Sequence, residues 1–156
     1  MRHFLVLGLL VLSSALWAAG PLESDMKSYL VVSNDGKEVF SEAKEAAPGD
    51  TIEYRLTYTN TSDQPLAGLV VTGPIPANTA YLKGSAHSSV PAVFTVSVDD
   101  GKSFSAEPVK KTVKGADGQQ KNVTVDPSAY TQLRWAPKGK LPAGKVQTYR
   151  YRVSVK

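Results

Sequence analysis

The 156-residue chain has no cysteine and only two histidines, which removes several kinds of chemistry at once. A disulfide framework, a thiolate metal site and the lipid-modified cysteine of a bacterial lipoprotein are all excluded. His87 is the only histidine beyond the N-terminal segment, and the serines around it form no Gly-x-Ser-x-Gly motif. The sequence has no histidine pair and no glycine-rich phosphate loop. We therefore predict no enzyme and no cofactor; the alternative, a hydrolase, would need an acid and a hydroxyl beside His87.

Long hydrophobic runs are also missing after the first residues. The chain starts with Arg2 and an apolar run from Phe4 to Leu12, followed by small residues. This run is too short to cross a bilayer whose hydrocarbon core is about 30 Å thick. The pattern is typical of a secretory signal peptide at residues 1–18 with cleavage after Ala18. We predict a secreted protein without a transmembrane anchor, and the lack of cysteine favours the bacterial periplasm or cell surface.

The chain has little excess charge of either sign, because its net charge is only +4. So small an excess gives no reason to expect nucleic acid as a partner. Four basic residues that lie close in sequence are Lys110, Lys111, Lys114 and Lys121. We predict that they form a solvated hairpin, whose charges would resist pairing with other strands. A weak contact with anionic envelope polymers is the alternative.

Acidic residues form one local group that could in principle hold a cation. Asp99 and Asp100 precede Gly101, and Ser103 follows. The segment lacks the further spaced acids and the closing glutamate of a calcium loop. An Asp-Gly pair is typical of a hairpin turn. We predict a turn and no metal site, with Asp99 and Asp100 as weak candidate ligands.

Alternation of apolar and polar residues is the strongest pattern in the chain. It covers Thr51–Asn60 and the last residues from Tyr149 to Lys156, and each run predicts a half-buried strand. Further strands are predicted at Ser28–Ser33, Lys37–Phe40, Leu66–Thr72, Ala80–Leu82, Phe94–Val98, Val109–Val113, Asn122–Val125 and Thr131–Trp135. We therefore predict an all-β, immunoglobulin-like Greek-key sandwich of about seven to nine strands, with Trp135 in its core.

Several segments resemble a known bacterial domain. They are Ala47–Tyr54, Thr57–Thr61, Leu69–Thr72, Pro74–Tyr81, Leu133–Trp135 and Gly139–Lys145. Together they resemble the "conserved repeat" domain, domain of unknown function 11, over residues 47–156. The resemblance implies an immunoglobulin-like sandwich in envelope or surface proteins, without established chemistry, and residues 19–46 would supply strands that lead into it. The chain departs from the family at Gly73, where an acidic residue is usual.

These observations together predict a structural or protein-interaction module of the cell envelope or surface, with an envelope protein or glycan as partner. The alternative is a carbohydrate-binding module in which Tyr81 and Tyr130, both near predicted loops, stack on sugar rings. A further alternative is an internal isopeptide bond from Asn60 or Asn122 to a buried lysine with an acidic neighbour.

Overall fold

The computed structural model describes residues 20–156, so the predicted signal peptide and its cleavage after Ala18 lie outside the described residues. Its regular secondary structure consists of β-strands and one 3-10 helix at Pro127–Ala129. Its strands are β1 (Leu22–Asn34), β2 (Lys37–Glu42), β3 (Thr51–Asn60), β4 (Val71–Pro74), β5 (Thr79–Tyr81), β6 (His87–Ser88), β7 (Ala92–Ser97), β8 (Lys110–Lys114), β9 (Gln120–Thr124), β10 (Gln132–Pro137) and β11 (Val146–Val155).

Every strand pairing in the described residues is antiparallel. The main sheet has six strands, in the order β2-β1-β3-β11-β5, and β6 pairs with β11 beside this path. A second sheet has the order β4-β10-β7, and β8 and β9 form a separate hairpin. The main sheet depends on β3, which pairs with β1 on one side and with β11 on the other.

The core lies between the main sheet and the three-stranded sheet. Tyr149 and Tyr151 of β11 are buried, and the ring of Trp135 on β10 packs 5.6 Å and 6.0 Å from their ring centroids. Ile52 and Leu56 of β3 are buried in the same cluster. The alternation seen in the sequence therefore points apolar side chains inward from both sheets. The predictions of an all-β, sandwich-like fold and of a buried Trp135 are confirmed.

Several predicted strand boundaries differ from the structure. Strand β3 has the predicted bounds, but β1 begins at Leu22 instead of Ser28, because its backbone pairs with β3 as far as Asn60. The strand predicted from Leu66 is wrong over most of its length. Leu66 forms only an isolated bridge to the chain near β11, and β4 begins at Val71. Leu66 and Leu141 exchange two backbone hydrogen bonds, and residues 67–70 belong to no strand.

Gly73 lies inside the core, which explains why no acidic residue stands there. A Cβ atom on Gly73 would lie 2.6 Å from Cε1 of Tyr151 and 3.3 Å from Cζ3 of Trp135. The hydroxyl of Tyr151 donates a hydrogen bond to the backbone oxygen of the next residue, Pro74. The aromatic rings therefore occupy the space that a side chain at position 73 would need.

Candidate functional site

The two tyrosines predicted to stack on sugar rings are buried. Tyr81 is 3% and Tyr130 is 4% exposed, and their rings stack on each other with centroids 5.9 Å apart. The Tyr130 hydroxyl donates to Glu107, and burial together with this carboxylate raises the pKa of Tyr130 to about 12. Tyr81, the last residue of β5, and Tyr130 pack against each other, so neither ring is exposed as the predicted ligand contact requires. The carbohydrate hypothesis loses the observation on which it depended.

The Asp99 carboxylate is occupied within its own turn. It accepts hydrogen bonds from the Ser103 hydroxyl at 2.6 Å, the Ser103 backbone N–H at 2.9 Å and the Ser97 hydroxyl at 2.7 Å. These bonds, those from Ser103 first, lower the pKa of Asp99 to about 2. Asp100 has a positive φ of 58°, as a residue in a tight turn does. Within residues 20–156 no group of three or more His, Asp or Glu side chains could hold a metal ion.

His87 does not form part of a catalytic triad in the described residues. It is exposed on the short strand β6, directly opposite Arg150 of β11. The nearby Ser85 hydroxyl accepts from the backbone N–H of Arg152 and donates to its carbonyl oxygen. The nearby Glu53 carboxylate is bound by two arginines. Neither Ser85 nor Glu53 is therefore free to act together with His87.

The isopeptide hypothesis fails for lack of a buried lysine. Every lysine in residues 20–156 is exposed. Asn60 is fully buried, but its side-chain amide donates to the carbonyl oxygens of Gln64 and Leu141 and accepts from Ser62. Asn122 is exposed on the β8-β9 hairpin, where it accepts from the Thr112 hydroxyl. Neither asparagine therefore meets the conditions for the cross-link.

The four lysines near this hairpin do not form one basic patch. In the β8-β9 register, Lys111 and Lys121 lie on one face, while Lys110 and Lys114 lie on the other. Lys121 also forms an ion pair of 3.5 Å with Asp117. All four are exposed, as the prediction of a solvated hairpin requires. Their distribution over two faces weakens the alternative of a single contact with an anionic polymer.

An ion-pair network around one buried carboxylate lies on the outer face of the main sheet. Glu53 of β3 is 1% exposed, and its two carboxylate oxygens accept from Nε of Arg55 at 2.6 Å and from Nε of Arg152 at 2.8 Å. Arg152 also binds both carboxylate oxygens of Glu38 on β2 at 2.7 Å, which lowers the pKa of Glu38. These bonds tie β2, β3 and β11 together without leaving the buried acid unpaired.

An exposed aromatic ring belongs to the same network. The guanidinium of Arg55 lies 4.6 Å from the ring centroid of Phe40 on β2 and 4.4 Å from that of Tyr29 on β1. Phe40 is 37% exposed, but this cation contact already covers part of its ring. The network therefore stabilises the β1-β2 arm, residues 22–42, against the rest of the sheet, and it covers part of the Phe40 ring.

The first half of β1 has an open edge. Strand β2 pairs with β1 only from Tyr29 to Asn34, and the chain leaves β1 after the bond from the Ala43 N–H to the Ser28 oxygen. From Leu22 to Lys27, β3 is the only strand of the described residues that pairs with β1. Backbone groups alternate between the two sides of a strand. Every second N–H and C=O of this segment therefore faces away from β3, where a further strand could pair.

Apolar side chains on the inner face of the same arm are uncovered. The register places Leu22 and Met26 on the face that carries Leu56, and pairs Val32 with Val39. These four side chains are 36%, 42%, 48% and 51% exposed, respectively. The core cluster reaches the arm only at Leu30 and Ala43, which are partly buried against it. The arm therefore combines free backbone groups with unburied apolar surface.

Known proteins give no direct help with the function of this chain. A scan against family models, a search of curated proteins and a search of solved structures found no match. The resemblance to the conserved repeat domain therefore stays a prediction. Within residues 20–156, no helix has the length and apolar character needed to span a membrane.

Sequence reasoning did not find the open edge. The segment Leu22–Lys27 mixes two apolar residues with charged and small ones, so its alternation is weak. The apolar residues Leu22 and Met26 were the one local sign that this segment could be a strand edge. The part of β1 that pairs with β2 depends on where β2 ends, and the end of β2 is a property of the folded sheet.

Proposed function

We propose that this chain is an exported, non-catalytic protein of the bacterial envelope or surface, acting as a structural or protein-interaction module. The signal-peptide pattern of residues 1–18 supports export. The resemblance over residues 47–156, together with a sandwich-like fold, supports an immunoglobulin-like Greek-key module. The way in which the structure uses His87, Asp99 and Tyr130 supports a binding or structural function over a catalytic one.

The observation that carries the proposal is the open edge of β1. An exposed edge invites pairing with another strand, and natural proteins usually protect it. Here the inward-facing side chains next to the free backbone groups are Leu22, Ser24 and Met26, with no charged residue among them. An inward-pointing charge is one of the usual protections, and this segment lacks it.

The backbone groups and side chains of the open edge indicate which kind of partner could bind there. An extended segment of a partner protein would add to the sheet next to β1 and continue the line of β2. Its backbone would supply hydrogen bonds, and its alternate side chains would cover Leu22 and Met26. Glu23, Asp25 and Lys27 point to the other face, where they would select partners by charge. Such a partner is a strand with an apolar inner face.

The proposal can be tested by cross-linking in living source cells. A photoreactive amino acid replaces Ser24 in a tagged, exported copy, and the attached molecules are identified by mass spectrometry. We expect a discrete envelope protein to be captured from this position. The substitution Met26→Lys in the same copy places a charge on the inner face, so we expect it to abolish the capture.

The matched control is Val70→Lys, which also replaces an exposed apolar residue but lies outside the arm. We expect this variant to capture the partner as the original chain does. Equal capture by the Met26→Lys variant would contradict binding at the edge. Retention on envelope glycan without any attached protein would instead favour the carbohydrate hypothesis, in a form that does not use Tyr81 or Tyr130.

A further inference from the structure

Basic side chains form a single row across four strands on the outer face of the main sheet. Lys27 of β1 pairs directly with Arg55 of β3, Arg55 with Arg150 of β11, and Arg150 with His87 of β6. Neighbouring strands lie about 4.8 Å apart, so the row extends over roughly 14 Å. The four residues come from four separate parts of the sequence, and only the register brings them together.

Such a row is unfavourable unless something neutralises it. Like charges directly opposite each other destabilise an antiparallel pair. Lys27 has an ion pair with Asp25 at 3.8 Å, and Nε of Arg55 binds Glu53. Arg150, in the middle of the row, has no acidic partner within residues 20–156. The centre of the row therefore has no ion pair of its own, and Glu38 lies near enough for the charge of Arg150 to help lower its pKa.

The row borders an open depression of about 480 Å³. Its lining consists of Arg55, Thr57, His87, Thr148, Tyr149 and Arg150. No carboxylate is among these residues. Thr57 and Thr148 are directly paired, one row below Arg55 and Arg150. The depression is therefore surrounded by cationic and hydroxyl groups from three strands.

Most donors around the depression make no hydrogen bond within the described part of the chain. Arg55 binds Glu53 through Nε and lies over the rings of Tyr29 and Phe40, but its two terminal nitrogens make no hydrogen bond there. The side chains of Arg150, His87, Thr57 and Thr148 make no hydrogen bond within residues 20–156. Donors that line one depression and make no other hydrogen bond can serve an anion.

We propose that this depression binds a phosphate-type oxyanion through Arg55, Arg150 and His87, with the hydroxyls of Thr57 and Thr148 as further donors. A tetrahedral anion presents oxygens in several directions and can meet donors from three strands, whereas a planar carboxylate matches the fork of one guanidinium. The anion is either free phosphate or a phosphate ester. This site is independent of the open edge of β1, so either proposal can fail alone.

The test is an NMR titration of the exported protein with inorganic phosphate, glucose 6-phosphate and acetate, each at constant ionic strength. We expect both phosphate compounds to cause saturable shifts of the backbone amides of Arg55, His87 and Arg150. The substitution Arg150→Gln removes charge-assisted hydrogen bonds and should weaken binding about tenfold or more. His87→Gln should weaken it as well, and Met26→Lys should leave it unchanged.

The matched control is Lys138→Gln, which removes the same charge from an exposed residue outside the depression and should leave binding unchanged. Tighter binding of glucose 6-phosphate would identify a phosphate ester as the ligand, and equal binding would identify free phosphate. The proposal is overturned if no saturable shift occurs, if sodium chloride alone reproduces the shifts, or if Arg150→Gln binds as the original chain does. Acetate binding as tight as that of phosphate would overturn the choice of a phosphate-type anion.

Discussion

Replacing Asn60 by alanine removes a buried connection between two loops. Asn60 ends β3 and is fully buried. Its side-chain nitrogen donates to the Gln64 oxygen at 2.7 Å and to the Leu141 oxygen at 3.0 Å. Its side-chain oxygen accepts from the backbone N–H and the hydroxyl of Ser62 at 3.0 Å and 2.7 Å. One amide thus joins the turn after β3 to the connection between β10 and β11.

The loss of stability follows from these four bonds. Each typically contributes about 0.5–1.5 kcal/mol, which would sum to roughly 2–6 kcal/mol. Water can replace part of the bonds to Ser62 and Gln64, because these ends are only partly buried. The Leu141 oxygen also keeps a bond from the Leu66 N–H. We therefore expect Asn60→Ala to lower the free energy of unfolding by about 3 kcal/mol.

Equilibrium unfolding in urea measures this change, with Asn122→Ala as the matched control. Asn122 is exposed and accepts a single bond, so its replacement should change the free energy of unfolding by less than about 0.5 kcal/mol. The thermal midpoint of Asn60→Ala should fall by roughly 10 °C. Equal effects of the two substitutions would refute the reasoning, because they would show that the buried network does not stabilise the loops.

Two further predictions follow from buried and charged contacts. Gly73→Ala would place a methyl group against Tyr151 and should cost about 1–3 kcal/mol in urea unfolding. Gly139→Ala, where nothing lies within 4 Å, should change little; equal losses would contradict the close contact. Asp99 has a folded pKa of about 2, below its ordinary value of 3.8, so it stabilises the fold above pH 3.8 and loses this effect as the pH falls towards 2. The stability difference between the original chain and Asp99→Asn should therefore shrink between pH 5 and pH 2, and a constant difference would contradict the assignment.

The strands that could be predicted are those in which alternation is strong. In β3 the apolar and aromatic residues alternate with polar ones, and the structure has this strand at the predicted residues. The alternating set is Ile52, Tyr54, Leu56 and Tyr58. The same pattern correctly placed Tyr149 and Tyr151 in the core. A strand with one buried face shows this face in its own sequence, because successive side chains point in opposite directions. Short strands such as β6 have too few residues to show any pattern.

The candidate sites could not be predicted in the same way. Tyr81 and Tyr130 are near loops in the sequence, but their rings stack on each other in the folded chain. Their burial depends on contacts between segments almost fifty residues apart. Likewise, Arg55 and Arg150 are adjacent only because β3 and β11 pair in a particular register. Neither fact follows from the residues around each position.

The amino-acid sequence alone was enough to predict that this chain is built from β-strands, that Trp135 is in its core and that cysteine chemistry is excluded. These properties depend on composition and on local alternation along each strand. The folded structure was needed to show that Gly73 must lack a side chain, that β1 keeps an open edge and that four basic residues form one row. Each of these depends on which strands become neighbours and in what register, and strand pairing joins residues that are far apart in the chain.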